Sequence, residues 1–179
     1  MWDYFLKGGP LMWPILFCSV VALTITINKS WQYFRVRRDL ARPATVIQQQ
    51  GSRYFAPVMQ AVHQGLDDRQ ISLAGSREIK NLETGLGSLN LIAVIAPLLG
   101  LTGTVTGMIK AFQVIATMGT NVDPTLLAAG IWEALITTAA GLFVGIPTHV
   151  AAHYLSRNLD EVALRLKEVV LELRGNSHD

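Results

Sequence analysis

Gly130-Ile-Trp-Glu-Ala-Leu-Ile-Thr-Thr-Ala-Ala-Gly-Leu142 sets one acid, Glu133, in a run that otherwise suits lipid or a packed helix bundle. No other Asp, Glu, Lys or Arg occurs between Asp123 and Arg157. A lone carboxylate in an apolar segment costs roughly 2.5–3.5 kcal/mol on insertion scales, so an acid kept there marks a functional site facing a bundle interior or an aqueous path. Thr137, Gly141 and Gly145 follow at i, i+4 and i+8, with Thr138 alongside. Small residues on one stripe let helix backbones approach closely. Upstream, Ala96-Pro-Leu-Leu-Gly-Leu-Thr-Gly-Thr-Val-Thr-Gly107 has the same grammar: Gly103 and Gly107 form a GxxxG pair, and Thr104 lies one turn beyond Gly100. Both segments read as membrane helices built to pack against helices, with Pro97 a kink of the kind that membrane helices tolerate when neighbouring groups re-satisfy the backbone.

These two motifs, followed by Ile146-Pro147, resemble the ExbB/TolQ/MotA family of proton-channel subunits, and most of all its ExbB/TolQ branch. They cover about a third of the chain, in the family's order and spacing. The resemblance implies an all-α inner-membrane subunit, a homopentamer around a pore, using the proton motive force. An ExbD/TolR-like single-span partner would thread the pore with a proton-accepting aspartate, and a TonB-like or TolA-like protein would carry the work across the periplasm. It also implies that Thr104 and Thr138 are pore threonines sharing the proton pathway with Glu133, and that Gly100, Gly103, Gly107, Gly141, Gly145 and Pro97 shape the helix packing. MotA relatives have four spans, which counts against that branch.

Composition agrees with a membrane protein carrying modest water-exposed parts: half of the 179 residues are hydrophobic, and the mean hydropathy is +0.34. The net charge of +2 is small, and Lys and Arg are dispersed through helical patterns instead of forming a basic tract with interleaved aromatics, so no nucleic-acid surface is expected. Cys18, the single cysteine, sits in the first apolar segment and reads as a small apolar filler. An intrachain disulfide is impossible with one cysteine. The N-terminus carries one acid and one base before a long apolar segment without an A-x-A exit, the pattern of a retained anchor.

In chain order, residues 1–7 read as an outer segment, with Met1 to Leu6 either lying along the outer surface or forming a frayed terminus. Gly8 to Asn28, 21 residues without a formal charge, form the first span, long enough for a hydrocarbon core of about 30 Å. Trp2, Tyr4 and Phe5 on one side, and Trp31, Tyr33 and Phe34 on the other, read as interfacial aromatics. Lys29, Arg35, Arg37, Arg38 and Arg42 then place this end in the cytoplasm by the positive-inside rule, leaving the N-terminus periplasmic, with contact to anionic lipid heads as a second use of the cluster.

Residues 29–83 read as a cytoplasmic helical region broken at Gln48-Gln-Gln-Gly51 and Gly65-Leu-Asp-Asp-Arg69. From Ile71 the pattern predicts one unbroken helix running into Leu86. Residues 84–117 form the second span, charge-free to Ile109, with Lys110 snorkelling toward the far interface. Residues 118–124 form a periplasmic turn, with Asp123 the N-cap and Pro124 the first helical residue. Residues 125–156 form the third span, and 157–179 a cytoplasmic extension and tail in which Val162, Leu166, Val169, Val170 and Leu173 recur at helical spacing. The fold class is thus three transmembrane helices, the second and third long and continuing into the cytoplasm.

Burial disfavours the charged form of a carboxyl group, so an acid about 13 Å down the third helix can gain and lose a proton as its surroundings alternate. A structural acid would only bond Thr or backbone groups. Threonine in a membrane helix commonly bonds its own i−4 carbonyl, which is the reading kept for Thr102, Thr106, Thr137 and Thr148. His149 and His153 share a helix face at i, i+4, but without a nearby carboxylate or cysteine they read as a polar lining or a lipid contact, and no metal or cofactor is expected. The glycines from Gly100 lack GK[ST], and no enzyme signature occurs. A non-conducting scaffold, and less well a small secondary transporter, are the other classes open to this sequence.

Overall fold

The computed structural model describes residues 8–42, 54–118 and 124–175. It is all-helical over these residues: α1 (Met12–Leu40), α2 (Ala56–His63), α3 (Asp68–Glu83), α4 (Leu86–Met118) and α5 (Pro124–Gly175). Three helical stretches, lying in α1, α3–α4 and α5, are long and apolar enough to cross a membrane. The expected turn at 118–124, with Asp123 as cap, the Gln48–Gly51 break and the outer segment 1–7 lie wholly or mostly outside the described residues. The chain forms two compact units, Met1–Thr26 with Ser88–Ala152, and Ile27–Gly87 with His153–Asp179.

In the first unit, α4 and α5 meet through their small residues. A Cβ added at Gly141 would stand 2.6 Å from the Ala96 carbonyl oxygen and 3.0 Å from the Gly100 Cα. One at Gly100 would stand 3.0 Å from the Thr138 Cα, and one at Gly107 would meet Ala134 Cβ and the Gly130 carbonyl at 2.8 Å. At Gly103 it would run into the Thr137 side chain, and at Gly145 into the ring of Pro97. Backbone against backbone at these distances leaves no room for side chains, the geometry that small-residue stripes permit. Gly130, which the sequence reading passed over, belongs to the same seam, its missing Cβ facing Ala111 Cβ at 3.2 Å. Phe17, Leu98, Phe112, Leu135 and Phe143 are exposed on the other faces.

The second unit is built on heptad stripes. On α5, Leu155, Leu159, Val162, Leu166, Val169 and Leu173 are buried at alternating spacings of 4 and 3, and on α1 Lys29, Tyr33, Val36 and Leu40 follow the same rhythm. This is the a/d seam of helices that pack nearly side by side. Arg37 ties the two stripes, bonding Asn158 Oδ1 at 3.1 Å and Glu161 at 3.2 Å. The expected break at Gly65 is a Schellman end to α2: φ is +63°, Leu66 N–H donates to Ala61 and Gly65 N–H to Val62.

Two expectations change here. The helix from Ile71 does not run unbroken into Leu86; Gly85, at φ +96°, ends α3 and α4 begins afresh. A glycine in the left-handed region is a common helix stop, and the surrounding apolar periodicity masked it. The stop leaves the Leu82 carbonyl without an intrahelical donor. Lys29 Nζ (3.0 Å) and Tyr33 Oη (2.9 Å) donate to it. Both residues are therefore buried, not a surface charge and an interfacial aromatic as their positions suggest, whereas Trp31 and Phe34 are exposed.

Candidate functional site

The first unit carries the site, and helix arithmetic explains why its parts meet. Lys110 lies eight residues before the end of α4 and Glu133 nine residues after the start of α5, so each is about 12–13 Å from the same end of two packed helices. Lys110 Nζ donates to Glu133 Oε1 at 2.6 Å. The lysine side chain is 53% exposed and the carboxylate 22%. The lone acid of the third span is therefore an ion pair, and Lys110 turns to Glu133 instead of snorkelling toward the far interface. A short charge-assisted bond of this kind is about twice as strong as a neutral one.

A backbone turn roofs the pair. Gly9 stands in the left-handed region at φ +70°, and a Cβ there would overlap Glu133 Oε1. Glycine alone adopts this conformation readily and fits so close to the acid. Thr137, one turn beyond Glu133 and 1% exposed, fixes the roof: its Oγ1 lies 2.8 Å from the Gly8 carbonyl and 2.7 Å from the Glu133 carbonyl. The i−4 bond expected of Thr137 is present, and the second contact to Gly8, which lies far away in sequence, is not one that local spacing reveals.

The other expected site residues fall as follows. Thr138 Oγ1 donates across the helix seam to the Gly100 carbonyl at 2.7 Å, while Thr104 Oγ1 donates within its own helix to Leu101 at 2.6 Å. A hydroxyl that donates to a carbonyl still offers two acceptor lone pairs to water. Thr102, Thr106 and Thr148 bond carbonyls four residues back in their own helices. His149 and His153 are exposed. The structure thus joins Glu133 to Lys110, Gly8, Gly9 and Thr137, and Thr138 to Gly100. Lys110 was missed as a partner, although its equal distance from the helix ends was a usable signal; Gly8 and Gly9 carried none.

Chemically, this is a carboxylate held on an apolar helix, charge-matched, and enclosed on one side by uncharged backbone.

The sequence model described as the MotA/TolQ/ExbB proton channel family matches residues 46–168. The chain is 32% identical to the ExbB-like 1 biopolymer transport protein of Synechocystis, over 80% of this chain and 66% of that protein. It is 41% identical to the biopolymer transport protein exbB1 of Vibrio cholerae, over 49% of this chain and 38% of the relative. With the Tol-Pal system protein TolQ of Haemophilus influenzae it shares 38% identity over 52% of this chain and 41% of the relative. The chain thus spans from over a third to just under two thirds of the length of these relatives. The family model covers more than half of the chain and includes both glycine-rich motifs, Lys110 and Glu133, and the protein with this charge-paired site between two small-residue helices belongs to the MotA/TolQ/ExbB proton channel family.

Proposed function

We propose that this chain is the wall and stator subunit of a proton-driven motor in the bacterial inner membrane, of the ExbB/TolQ kind. The observation that carries the reading is Glu133: an ionisable acid retained on an apolar span, next to the glycine seam, in a chain of a proton-channel family. Several copies, five by resemblance, surround a pore threaded by an ExbD/TolR-like single-span protein. Glu133, Thr104 and Thr138 serve the proton path, and a TonB-like or TolA-like protein receives the work. One charge crossing 100 mV releases about 2.3 kcal/mol, so substantial mechanical work takes several protons. The exposed apolar side chains of the spans, such as Phe112 and Phe143, supply faces for lipid and neighbouring copies.

The test is reconstitution with the single-span partner in vesicles carrying a pH dye inside. Imposed voltage is expected to drive acidification that the chain alone does not support. A non-conducting scaffold, favoured by the bonding of Thr104 and Thr138 to backbone carbonyls, predicts no flux in either case.

Orientation is part of the proposal. The basic run from Lys29 to Arg42 lies inside and residues 119–123, free of Lys and Arg, lie outside. In a Cys18→Ser background, Thr120→Cys is expected to react with an impermeant thiol reagent on intact cells and Arg53→Cys only after lysis. The opposite pattern would reverse the topology.

A further inference from the structure

We infer that Lys110 is a positioning residue for Glu133: its ammonium pairs with the carboxylate and aims it, and protonation of Glu133 releases the lysine. The inference rests on the reading of Glu133 as the proton carrier. Two charges set separately in apolar helices would each be costly, and pairing is the way such groups are retained. Here the two are equally far from their helix ends and meet at 2.6 Å. Among the described residues, Lys110 is the charged group paired with Glu133. Among the described residues, Gly9 also lies against the carboxylate, and Thr137 bonds the Glu133 carbonyl from one turn along α5.

The same oxygen, Oε1, faces both Lys110 and Gly9. The turn therefore limits where the carboxylate can go, and Thr137 holds that turn through the Gly8 carbonyl. Lys110 is less confined, being half-exposed on a flexible four-carbon stem. When a proton arrives, one O–H bond forms on Glu133, the carboxylate charge disappears, and the ammonium keeps its three hydrogens and swings away. Loss of the proton draws it back. The moving part of the cycle is thus a lysine on α4, and the fixed part is the acid under its glycine roof.

The test is infrared spectroscopy of the full-length protein with its partner in lipid, together with flux. In Lys110→Met the Glu133 carboxylate is expected to become a protonated carboxyl, seen as a carbonyl band that vanishes when Glu133→Gln is added. Proton flux should fall roughly tenfold or more, since removing one partner of a pair leaves an uncompensated charge that must neutralise. Lys110→Arg, which keeps the charge, should retain the carboxylate signature and most of the flux. An unchanged carboxylate band in Lys110→Met would overturn the inference. If Lys110→Met fails to assemble, the exchanged variant Lys110→Glu with Glu133→Lys decides: recovery of assembly relative to either single exchange supports the pair, and no recovery rejects it. Flux in Glu133→Gln would instead remove the proton-carrier reading, leaving the infrared result to judge the pair by itself.

Discussion

Replacing Glu133 by Gln is expected to lower proton flux at least about 100-fold, the scale of losing a proton-transfer group, while the subunit still assembles with its partner. Gln keeps the volume of Glu and an oxygen that can accept from Lys110, but it cannot take up a proton. The lysine is half-exposed and can carry its charge toward solvent once the carboxylate is gone, so folding survives. A structural acid that only braced Lys110 and the Gly8–Gly9 turn would tolerate the change. Flux in vesicles, and energised uptake or envelope integrity in cells, measure the outcome. Wild-type activity in Glu133→Gln would remove this residue from the mechanism. Thr104→Val and Thr138→Val offer a milder comparison: both remove a hydroxyl that donates to a backbone carbonyl, and reduced flux with intact assembly would show that the oxygens also organise water.

Gly141→Leu should have the largest effect on folding, destabilising the α4–α5 seam by about 3 kcal/mol or more. Its first added carbon would meet the Ala96 carbonyl and the Gly100 backbone, atoms that cannot rotate away as a side-chain tip can. The helices must separate, and the Thr138–Gly100 bond goes with them. Gly87 gives the control, because a Cβ there meets nothing within 4 Å. Gly87→Ala should leave stability unchanged or raise it slightly, since alanine is the better helix former. Unfolding in detergent, followed by circular dichroism, reads both variants. Equal midpoints for Gly141→Leu and the native protein would mean that the seam does not hold the spans together.

Much of this architecture could be read from local chemistry. Two charge-free runs of membrane length, a third broken only by Glu133, and the stripes of Gly100–Gly107 and Gly141–Gly145 are properties of spacing along one chain. The heptad rhythm of Val162, Leu166, Val169 and Leu173 was equally plain, and these side chains are buried. Gly85 was harder: a glycine ends a helix only when its backbone takes positive φ, and the periodicity on either side of it gave no sign of the stop. Lys29 and Tyr33 followed from that miss. Nothing in their own neighbourhood says that a carbonyl left open at Leu82 will need their donors.

The site divides along the same line. By itself the sequence determined that an acid stands in the third span, because the cost of a charge among apolar residues is a local quantity. It also determined that glycine and threonine line the faces where two helices meet, because backbone approach requires small side chains at one helical repeat. Tertiary structure alone decided that the acid is roofed, and it decided the pairing, for which the sequence offered only matched depths from the helix ends. Lys110 reaches Glu133 because two antiparallel helices bring equal depths together, and Gly9 sits over the carboxylate because Thr137 captures the Gly8 carbonyl 129 residues away. Those contacts depend on which faces are turned toward each other, and helical periodicity within a single segment carries no information about the partner it will meet.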